Sequence, residues 1–169
     1  PEQALKIVPQ LCEALEYAHS RGVIHRDIKP ENIMLDRAGV PKIADFGLAK
    51  IVKGDAQVPL TQTNVIMGTV EYMAPEQRDS LKAVDHRADI YSLGVVLYEM
   101  LTGELPIGRF APASRKGGVD VRYDDVVIKA LEADPAERYQ RASHLGIAVS
   151  DIMSSGPQAA EIPLVDAHT

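Results

Sequence analysis

The stretch "GVIHRDIKPENIML", residues 22–35, places a dense polar run between two apolar flanks. The polar side chains in it are those of His25, Arg26, Asp27, Lys29, Glu31 and Asn32. The flanks "VI" and "IML" are apolar, so the stretch is predicted to be a polar turn with an apolar anchor at each end. The residues on either side of it indicate what this turn is for.

A helix is predicted before the turn, because apolar side chains recur at helical spacing from Pro1 to His19. Pro9 lies inside this helix and is expected to kink it, because proline has no amide proton and crowds the preceding turn. "SRG" at 20–22 ends the helix, with Gly22 free to adopt a positive φ. His19 is expected to be a core-edge histidine rather than a metal ligand.

A second helix is predicted from Asp85 to Leu101, where the residues are apolar on almost every face. A helix of this kind in a globular protein lies buried at the centre of the domain. Asp85 is a suitable N-cap, and Gly103 and Pro106 are expected to end the helix.

The remaining patterns predict shorter elements. "IML" and "KIA", separated by "DRAGVP", predict a β-hairpin, and two more helices are expected at 123–132 and 141–153. Residues 50–72 and 107–119 have no sustained period and are predicted to be loops, and 154–169 is expected to be a flexible tail. The predicted fold class is mainly α with a small β-hairpin.

Composition limits the classes of function. The chain has 169 residues, 46% hydrophobic and 25% charged, which indicates one compact globular domain. Its net charge of -6 argues against a nucleic-acid partner or a general affinity for anionic membranes. A single cysteine excludes an intramolecular disulfide and is consistent with a cytoplasmic location, and neither a secretory signal nor a membrane-spanning segment is expected.

Three motifs follow one another in the chain. Residues 25–32 fit "HRDxKxxN", "DFG" occupies 45–47, and "APE" occupies 74–76. Each motif alone is also explained by an ordinary turn or helix start, but their combination in this order is specific. Together they resemble the C-terminal lobe of the eukaryotic-like (Hanks-type) bacterial serine/threonine protein kinases. The resemblance implies a kinase-like lobe at 1–153, with a catalytic loop at 25–32 and an activation segment at 45–76.

The resemblance implies roles for the polar residues of the turn. Asp27 is similar to the aspartate that accepts the proton of the substrate hydroxyl, and Lys29 to the lysine that contacts the transferring phosphate in serine/threonine kinases. Asn32 and Asp45 are similar to the ligands of Mg²⁺, for which Mn²⁺ could substitute. Met34 is expected to lie under the adenine ring of ATP. The implied cofactors are therefore ATP and Mg²⁺.

The resemblance also implies residues that control the site. Thr61 and Thr63 are candidates for phosphorylation, with a phosphate pairing with Arg26 and Lys50. The alternative is that both are simply solvated loop threonines. Thr69 is similar to the threonine that contacts the catalytic aspartate and lysine, and is assigned to substrate positioning.

Other residues are expected to be structural. Glu76 and Arg138 resemble a buried ion pair that fastens the end of the activation segment. Asp89 resembles the aspartate that accepts backbone amide protons of the catalytic loop, and His25 and Phe46 are expected to stack inside the lobe.

The resemblance stops short of a whole kinase. The sequence has no "GxGxxG" and no strand lysine of the "VAIK" type, so the N-terminal lobe is expected to be missing. The isolated chain is therefore expected to be inactive, and its exposed apolar surface to favour self-association or binding of the missing lobe. The implied partners are protein substrates, and the parent protein could be anchored in a membrane.

Two other functions remain open. One is a non-catalytic kinase-like module that binds a protein, and the other is a small-molecule kinase with the same fold. The upstream coding sequence distinguishes the first from a kinase, because a catalytic protein needs the Gly-rich strand and its lysine.

Overall fold

The computed structural model describes residues 2–46, 69–79 and 81–156, which form a mainly helical lobe with a two-stranded sheet. Its helices are α1 (Glu2–Ser20), α2 (Pro75–Arg78), α3 (Arg87–Thr102), α4 (Ala113–Gly117), α5 (Arg122–Ala130) and α6 (Ala142–Ser155). The strands are β1 (Ile33–Leu35) and β2 (Pro41–Ile43), and short 3-10 helices occupy Pro30–Asn32 and Thr69–Tyr72. None of the helices in these ranges has the length and apolarity needed to cross a bilayer.

The predicted central helix is α3, which is buried on nearly all sides. The prediction that Asp85 caps the helix was wrong, because the N-cap is His86 and the helix begins at Arg87. Asp85 lies just before the cap, and its carboxylate accepts the amide proton of Arg87 at 2.9 Å. The helix ends where Gly103 adopts a φ of 77°, and the Gly103 amide donates to the Glu99 carbonyl. The prediction of a buried helix at the centre of the lobe is therefore confirmed.

Helix α1 presents one apolar stripe to the core and contains Pro9. It ends at Ser20, and Gly22 follows with a φ of 71°, which confirms the predicted stop. Helix α6 approaches α1 so closely that a Cβ on Gly146 would lie 2.9 Å from the Cβ of Cys12. Since real Cβ atoms do not approach so closely, only glycine fits at position 146 without a shift of one helix.

The hairpin prediction is confirmed. Strands β1 and β2 pair antiparallel, with Met34 opposite Lys42. The turn between them is stabilised by Asp36, whose carboxylate accepts the amide protons of Ala38 and Val40, each at 2.9 Å. Gly39 completes it with a φ of 78°, which favours glycine.

Two loop predictions were partly wrong. Within 107–119, α4 forms a short helix because Ala113 is buried and the Ser114 amide donates to the Asp124 carboxylate of α5 at 2.8 Å. Within 50–72, Thr69–Tyr72 form a 3-10 helix, tied to α3 by the Ser92 hydroxyl, which donates to the Tyr72 carbonyl at 2.7 Å. Both elements depend on partners distant in sequence, which periodicity does not reveal.

The predicted start of the tail at residue 154 was also too early, because α6 continues to Ser155. Residues 157–169, which were expected to be flexible, lie outside the described residues. The rest of the predicted loop, up to residue 68, also lies outside them.

Candidate active site

The polar turn brings three of the predicted site residues together. The Lys29 ammonium lies 3.3 Å from a carboxylate oxygen of Asp27. The Asn32 side-chain amide donates to the Asp27 carbonyl at 2.8 Å and to its carboxylate at 3.2 Å. Asn32 is buried, whereas the Asp27 and Lys29 side chains remain 29% and 16% exposed. The carboxylate is thus oriented by two neighbours and still open to solvent.

Asp45 follows β2, directly after Ala44, whose backbone contacts the turn. The Ala44 amide donates to the Asn32 carbonyl at 2.8 Å, which joins the end of β2 to the turn. Asp45 itself has a φ of 62°, in the left-handed region that costs a non-glycine residue energy. Such strain persists only where surrounding structure imposes it, and it is frequent at functional sites.

His25 connects the turn to the residues around Asp45. Its Nε2 donates to the Ala44 carbonyl at 2.7 Å, and its Nδ1 accepts the Asp27 amide proton at 3.2 Å. These two bonds require a neutral imidazole with the proton on Nε2. The Phe46 ring packs edge-on against the His25 ring with centroids 4.7 Å apart, so the predicted stacking pair is brought together.

Asp89 contacts the turn from α3. Its carboxylate, which is only 1% exposed, accepts the amide protons of His25 at 2.9 Å and of Arg26 at 2.7 Å. Arg26 has a φ of 69°, the second left-handed non-glycine residue in the described part of the chain. The predicted contact of Asp89 with the turn is therefore present, and it joins the turn to the most buried helix of the lobe.

Sequence reasoning missed two residues that support the turn. His19 has a largely buried side chain, and its Nε2 lies 2.8 Å from the Asp89 carboxylate. Gln77 of α2 donates to the Arg26 carbonyl at 2.9 Å while its own oxygen accepts the Ala74 amide proton at 3.0 Å. Gln77 lies three residues after Ala74, the N-cap of α2, and this spacing was a signal for its contact with the Ala74 amide. No local pattern indicated the contact of His19 with Asp89.

Glu76 and Arg138 form the buried ion pair that the sequence suggested. Two parallel bonds of 2.7 Å join their side chains, which are 4% and 0% exposed. The guanidinium also donates to the carbonyls of Glu132, Ala133 and Arg87, so its charge is surrounded by acceptors. The pair fastens α2 to the segment that precedes α6.

Tyr72 fastens the segment before α2. Its hydroxyl donates to the Glu99 carboxylate of α3 at 2.6 Å. Burial, together with this carboxylate, raises the pKa of Tyr72 well above its usual range. The hydroxyl therefore remains protonated and keeps donating across the physiological range.

The oxygen donors of the turn fit a hard divalent cation. The amide nitrogen of Asn32 is committed to Asp27, so the group it has left for a cation is its carbonyl oxygen. Among the described residues, no group of three or more His, Cys, Asp or Glu side chains could hold a metal. Mg²⁺ commonly uses one or two carboxylates and completes its shell with phosphate oxygens and water, so Asn32 and Asp45 are a suitable pair.

The other predicted site residues are partly described. Met34 lies on β1, which directly follows the turn, and its side chain is 56% exposed. Arg26 has a buried Nε for which the described residues offer no hydrogen-bond partner. Thr69 begins the 3-10 helix, but its side chain, like Lys50, Thr61 and Thr63, lies outside the described residues.

Comparison with known proteins matches this chain to the protein kinase domain family over residues 1–153. The serine/threonine-protein kinase PknB of Mycobacterium leprae is 41% identical over 182 residues, which cover 99% of this chain and 29% of the relative. Pkn1 of Myxococcus xanthus is 42% identical over 154 residues, covering 80% of this chain and 22% of the relative. The chain therefore spans less than a third of the length of these curated relatives.

Solved structures give the same match. The crystal structure of the Mycobacterium tuberculosis PknI kinase domain is similar with a TM-score of 0.68 and 30% identity. The similarity covers 89% of this chain and 55% of that one. The turn, the hairpin and α3 thus belong to an architecture found in bacterial protein kinases.

Proposed function

The chain belongs to the protein kinase domain family, and from this we propose that it forms the catalytic part of a bacterial protein serine/threonine kinase. The reaction is transfer of the γ-phosphate of ATP to serine or threonine hydroxyls of protein substrates. The observation that carries the proposal is the contact of Asp27 with both Lys29 and Asn32. This arrangement places a carboxylate that can accept a proton next to an ammonium group that can bind the phosphate.

Asp27 orients the substrate hydroxyl and accepts its proton as the hydroxyl oxygen bonds to the γ-phosphorus and the bond to the leaving oxygen breaks. Lys29 contributes positive charge to the transferring phosphate, where negative charge is spread over three oxygens. Its closeness to Asp27 supports this division of roles, because both side chains can then reach the same reacting group.

Members of the family use ATP and a divalent metal ion, and Mg²⁺ is the ion we propose here. Asn32 and Asp45 would hold it, and its charge would offset that of the phosphates. The strained backbone of Asp45 and the fixed orientation of the Asn32 amide support these roles. Met34 lines the place for the adenine, and Thr69 positions the substrate.

Phosphorylation of Thr61 or Thr63 regulates the enzyme, with the phosphate pairing with Arg26 and Lys50. Among the described residues the buried Nε of Arg26 has no hydrogen-bond acceptor, which supports this role, because such a nitrogen is costly to bury until an anion binds it. The Arg26 carbonyl is bound by Gln77 and its amide by Asp89. A phosphate that binds the Arg26 side chain would therefore affect the conformation of the whole turn.

The hairpin is the surface on which the upstream lobe packs. Met34, Leu35 and Val40 are 56%, 56% and 38% exposed, which is unusual for apolar side chains next to a candidate site. In the isolated chain the same surface would favour self-association. The lobe as proposed comprises residues 1–153, with the catalytic loop at 25–32 and the activation segment at 45–76.

The test is a phosphotransfer assay on this chain and on a protein extended upstream to include a Gly-rich strand and its lysine. We expect labelled phosphate to appear on a protein acceptor only with the extended protein, ATP and Mg²⁺. Chelation of the metal should abolish transfer. Failure of the extended wild-type protein to phosphorylate any serine- or threonine-containing protein, itself included, would contradict the proposal.

A further inference from the structure

Gln77, the third residue of α2, connects the end of the proposed activation segment to the polar turn. Its side-chain nitrogen donates to the Arg26 carbonyl at 2.9 Å, and its side-chain oxygen accepts the Ala74 amide proton at 3.0 Å. An amide side chain has one accepting end and one donating end, so the bond from Ala74 requires that the donating end face Arg26. The orientation of the Gln77 side chain is therefore fixed at both ends.

Helix α2, which carries Gln77, is fastened to the lobe independently of this contact. Glu76 forms the buried ion pair with Arg138. The Arg78 guanidinium donates to the Val70 carbonyl at 2.8 Å, which ties α2 to the 3-10 helix before it. Gln77 thus reaches the turn from a backbone that other residues hold in place.

The carbonyl that Gln77 binds belongs to the peptide unit between Arg26 and Asp27. The other end of this peptide, the Asp27 amide, donates to Nδ1 of His25 at 3.2 Å. The preceding peptide is held by Asp89, whose carboxylate accepts the Arg26 amide proton at 2.7 Å. Side chains from three different parts of the chain therefore fix both peptides next to Arg26.

The orientation of the Arg26–Asp27 peptide affects the direction of the Asp27 carboxylate, because the peptide is planar and joins directly to the Asp27 Cα. Arg26 has a φ of 69°, and such a backbone persists in arginine only where its surroundings impose it. Without Gln77, the hydrogen bonds described here would hold this peptide only at its amide end. That remaining bond to His25, at 3.2 Å, is at the long limit of the normal range.

We propose that Gln77 is a positioning residue for phosphotransfer, which holds the Arg26–Asp27 peptide in the orientation that presents the Asp27 carboxylate to the substrate hydroxyl. It acts through the Arg26 carbonyl. Because Gln77 directly follows residues 45–76, a displacement of the end of that segment would also displace Asp27. The catalytic consequence rests on the proposed kinase function, whereas the effect of Gln77 on the turn does not.

Two substitutions in the upstream-extended protein isolate the bond to Arg26. Gln77→Met has a similar length and removes both hydrogen bonds of the side chain. Gln77→Glu keeps an oxygen for the Ala74 amide proton and removes only the donor to Arg26. In both, kcat should fall by about 10–100-fold with little change in the KM for ATP, because a small displacement of a reacting group has an effect of this size. A kcat equal to that of the parent in either variant would overturn the proposal.

Gln10→Met is the matched control. The Gln10 side-chain nitrogen also donates to a backbone carbonyl, that of Lys6 at 2.9 Å, but on the exposed face of α1. The same chemical change at this position should leave kcat and KM at the values of the parent. An equal loss of kcat in Gln10→Met would overturn the proposal, since the loss would then not depend on the contact with Arg26.

Amide hydrogen exchange, followed by NMR in the chain without its upstream extension, tests the contact without activity. In Gln77→Met and Gln77→Glu, the Arg26 and Asp27 amides should exchange several-fold faster than in the parent, while amides at 145–149 in α6 keep their rates. Unchanged exchange at Arg26 and Asp27, or an equal acceleration in α6, would overturn the proposal. Failure of the proposed function is seen separately, as absence of phosphotransfer by the extended parent, and the exchange rates then decide whether Gln77 holds the turn.

Discussion

The carboxylate of Asp89 accepts the amide proton of Arg26 at 2.7 Å while Arg26 has a φ of 69°. Backbone in this region is costly for arginine, and the buried acceptor on α3 offsets part of that cost. The shape of the polar turn therefore depends on a residue distant in sequence. This dependence leads to the first prediction.

Asp89→Asn should destabilise the lobe and distort the turn. Asparagine has one oxygen acceptor where two carboxylate oxygens now bind two amide protons, so one buried N–H loses its partner. We expect a loss of about 1–3 kcal/mol in the free energy of unfolding, measured by urea denaturation. The control Asp125→Asn, on an exposed face of α5, should change it little. Equal stability of Asp89→Asn and its parent would show that the two bonds are not needed.

Asp27→Asn should retain the fold and lose activity in the upstream-extended protein. Asparagine preserves the shape but accepts a proton poorly, so the phosphotransfer rate should fall by about 10²–10⁴-fold. Circular dichroism checks the fold, and Asp151→Asn on the exposed end of α6 is the matched control. A normal transfer rate in Asp27→Asn would refute the assignment of the proton acceptor.

Removing one member of the Glu76–Arg138 pair should be more harmful than removing both. Arg138→Met leaves a buried carboxylate without its cation and should cost about 3–5 kcal/mol of unfolding free energy, measured in urea. The double variant Glu76→Gln with Arg138→Met should recover part of that loss. Lys82→Ala, which removes the exposed contact with Asp79, serves as the control and should have little effect. Purely additive losses in the double variant would argue against coupling.

The contact of Glu16 with the start of α6 should make stability depend on pH. Burial alone would raise the pKa of Glu16, but hydrogen bonds from Arg141 and Ser143 outweigh burial and hold this pKa below its ordinary value of 4.5. Because the pKa is lowered in the folded state, the stabilisation is complete above pH 4.5 and is lost as the pH falls through the lowered pKa. Since Arg141 is 61% exposed, it amounts to at most about 1 kcal/mol.

Glu16→Gln should therefore have a lower Tm than the parent at pH 7, and the difference should shrink below pH 4.5. Glu13→Gln, on the exposed face of the same helix, is the control. A difference that stays constant across the whole range would show that ionisation of Glu16 is not the cause.

Thr61→Ala with Thr63→Ala should blunt activation of the upstream-extended protein. If a phosphate acts through Arg26, then Arg26→Gln should give a similar loss, and the triple variant should be no worse than either. Activity is measured before and after incubation with ATP, and mass spectrometry locates the phosphate. If the losses of activity add in the triple variant, the threonines and Arg26 act independently, which would contradict the proposed pairing.

Local patterns in the sequence were enough to predict the turn, the hairpin, the central helix and the helices at both ends of the lobe. Helical spacing, glycine stops and the alternation of apolar and polar residues act over a few neighbouring positions, so they are visible without a structure. The motifs around Asp27, Asp45 and Glu76 also identified the family before any distance was known. Resemblance supplied the pairing of Glu76 with Arg138, which no local rule contains.

Tertiary structure alone decided the rest. Helix α4 forms because Asp124 of α5 accepts the Ser114 amide proton. His19 supports the turn because α3 brings the Asp89 carboxylate next to its ring. The left-handed backbone of Arg26 likewise depends on Asp89, which binds its amide proton from α3. The physical reason is common to all of them: such contacts join residues far apart in sequence, and their free energy exists only once the chain has brought the partners together.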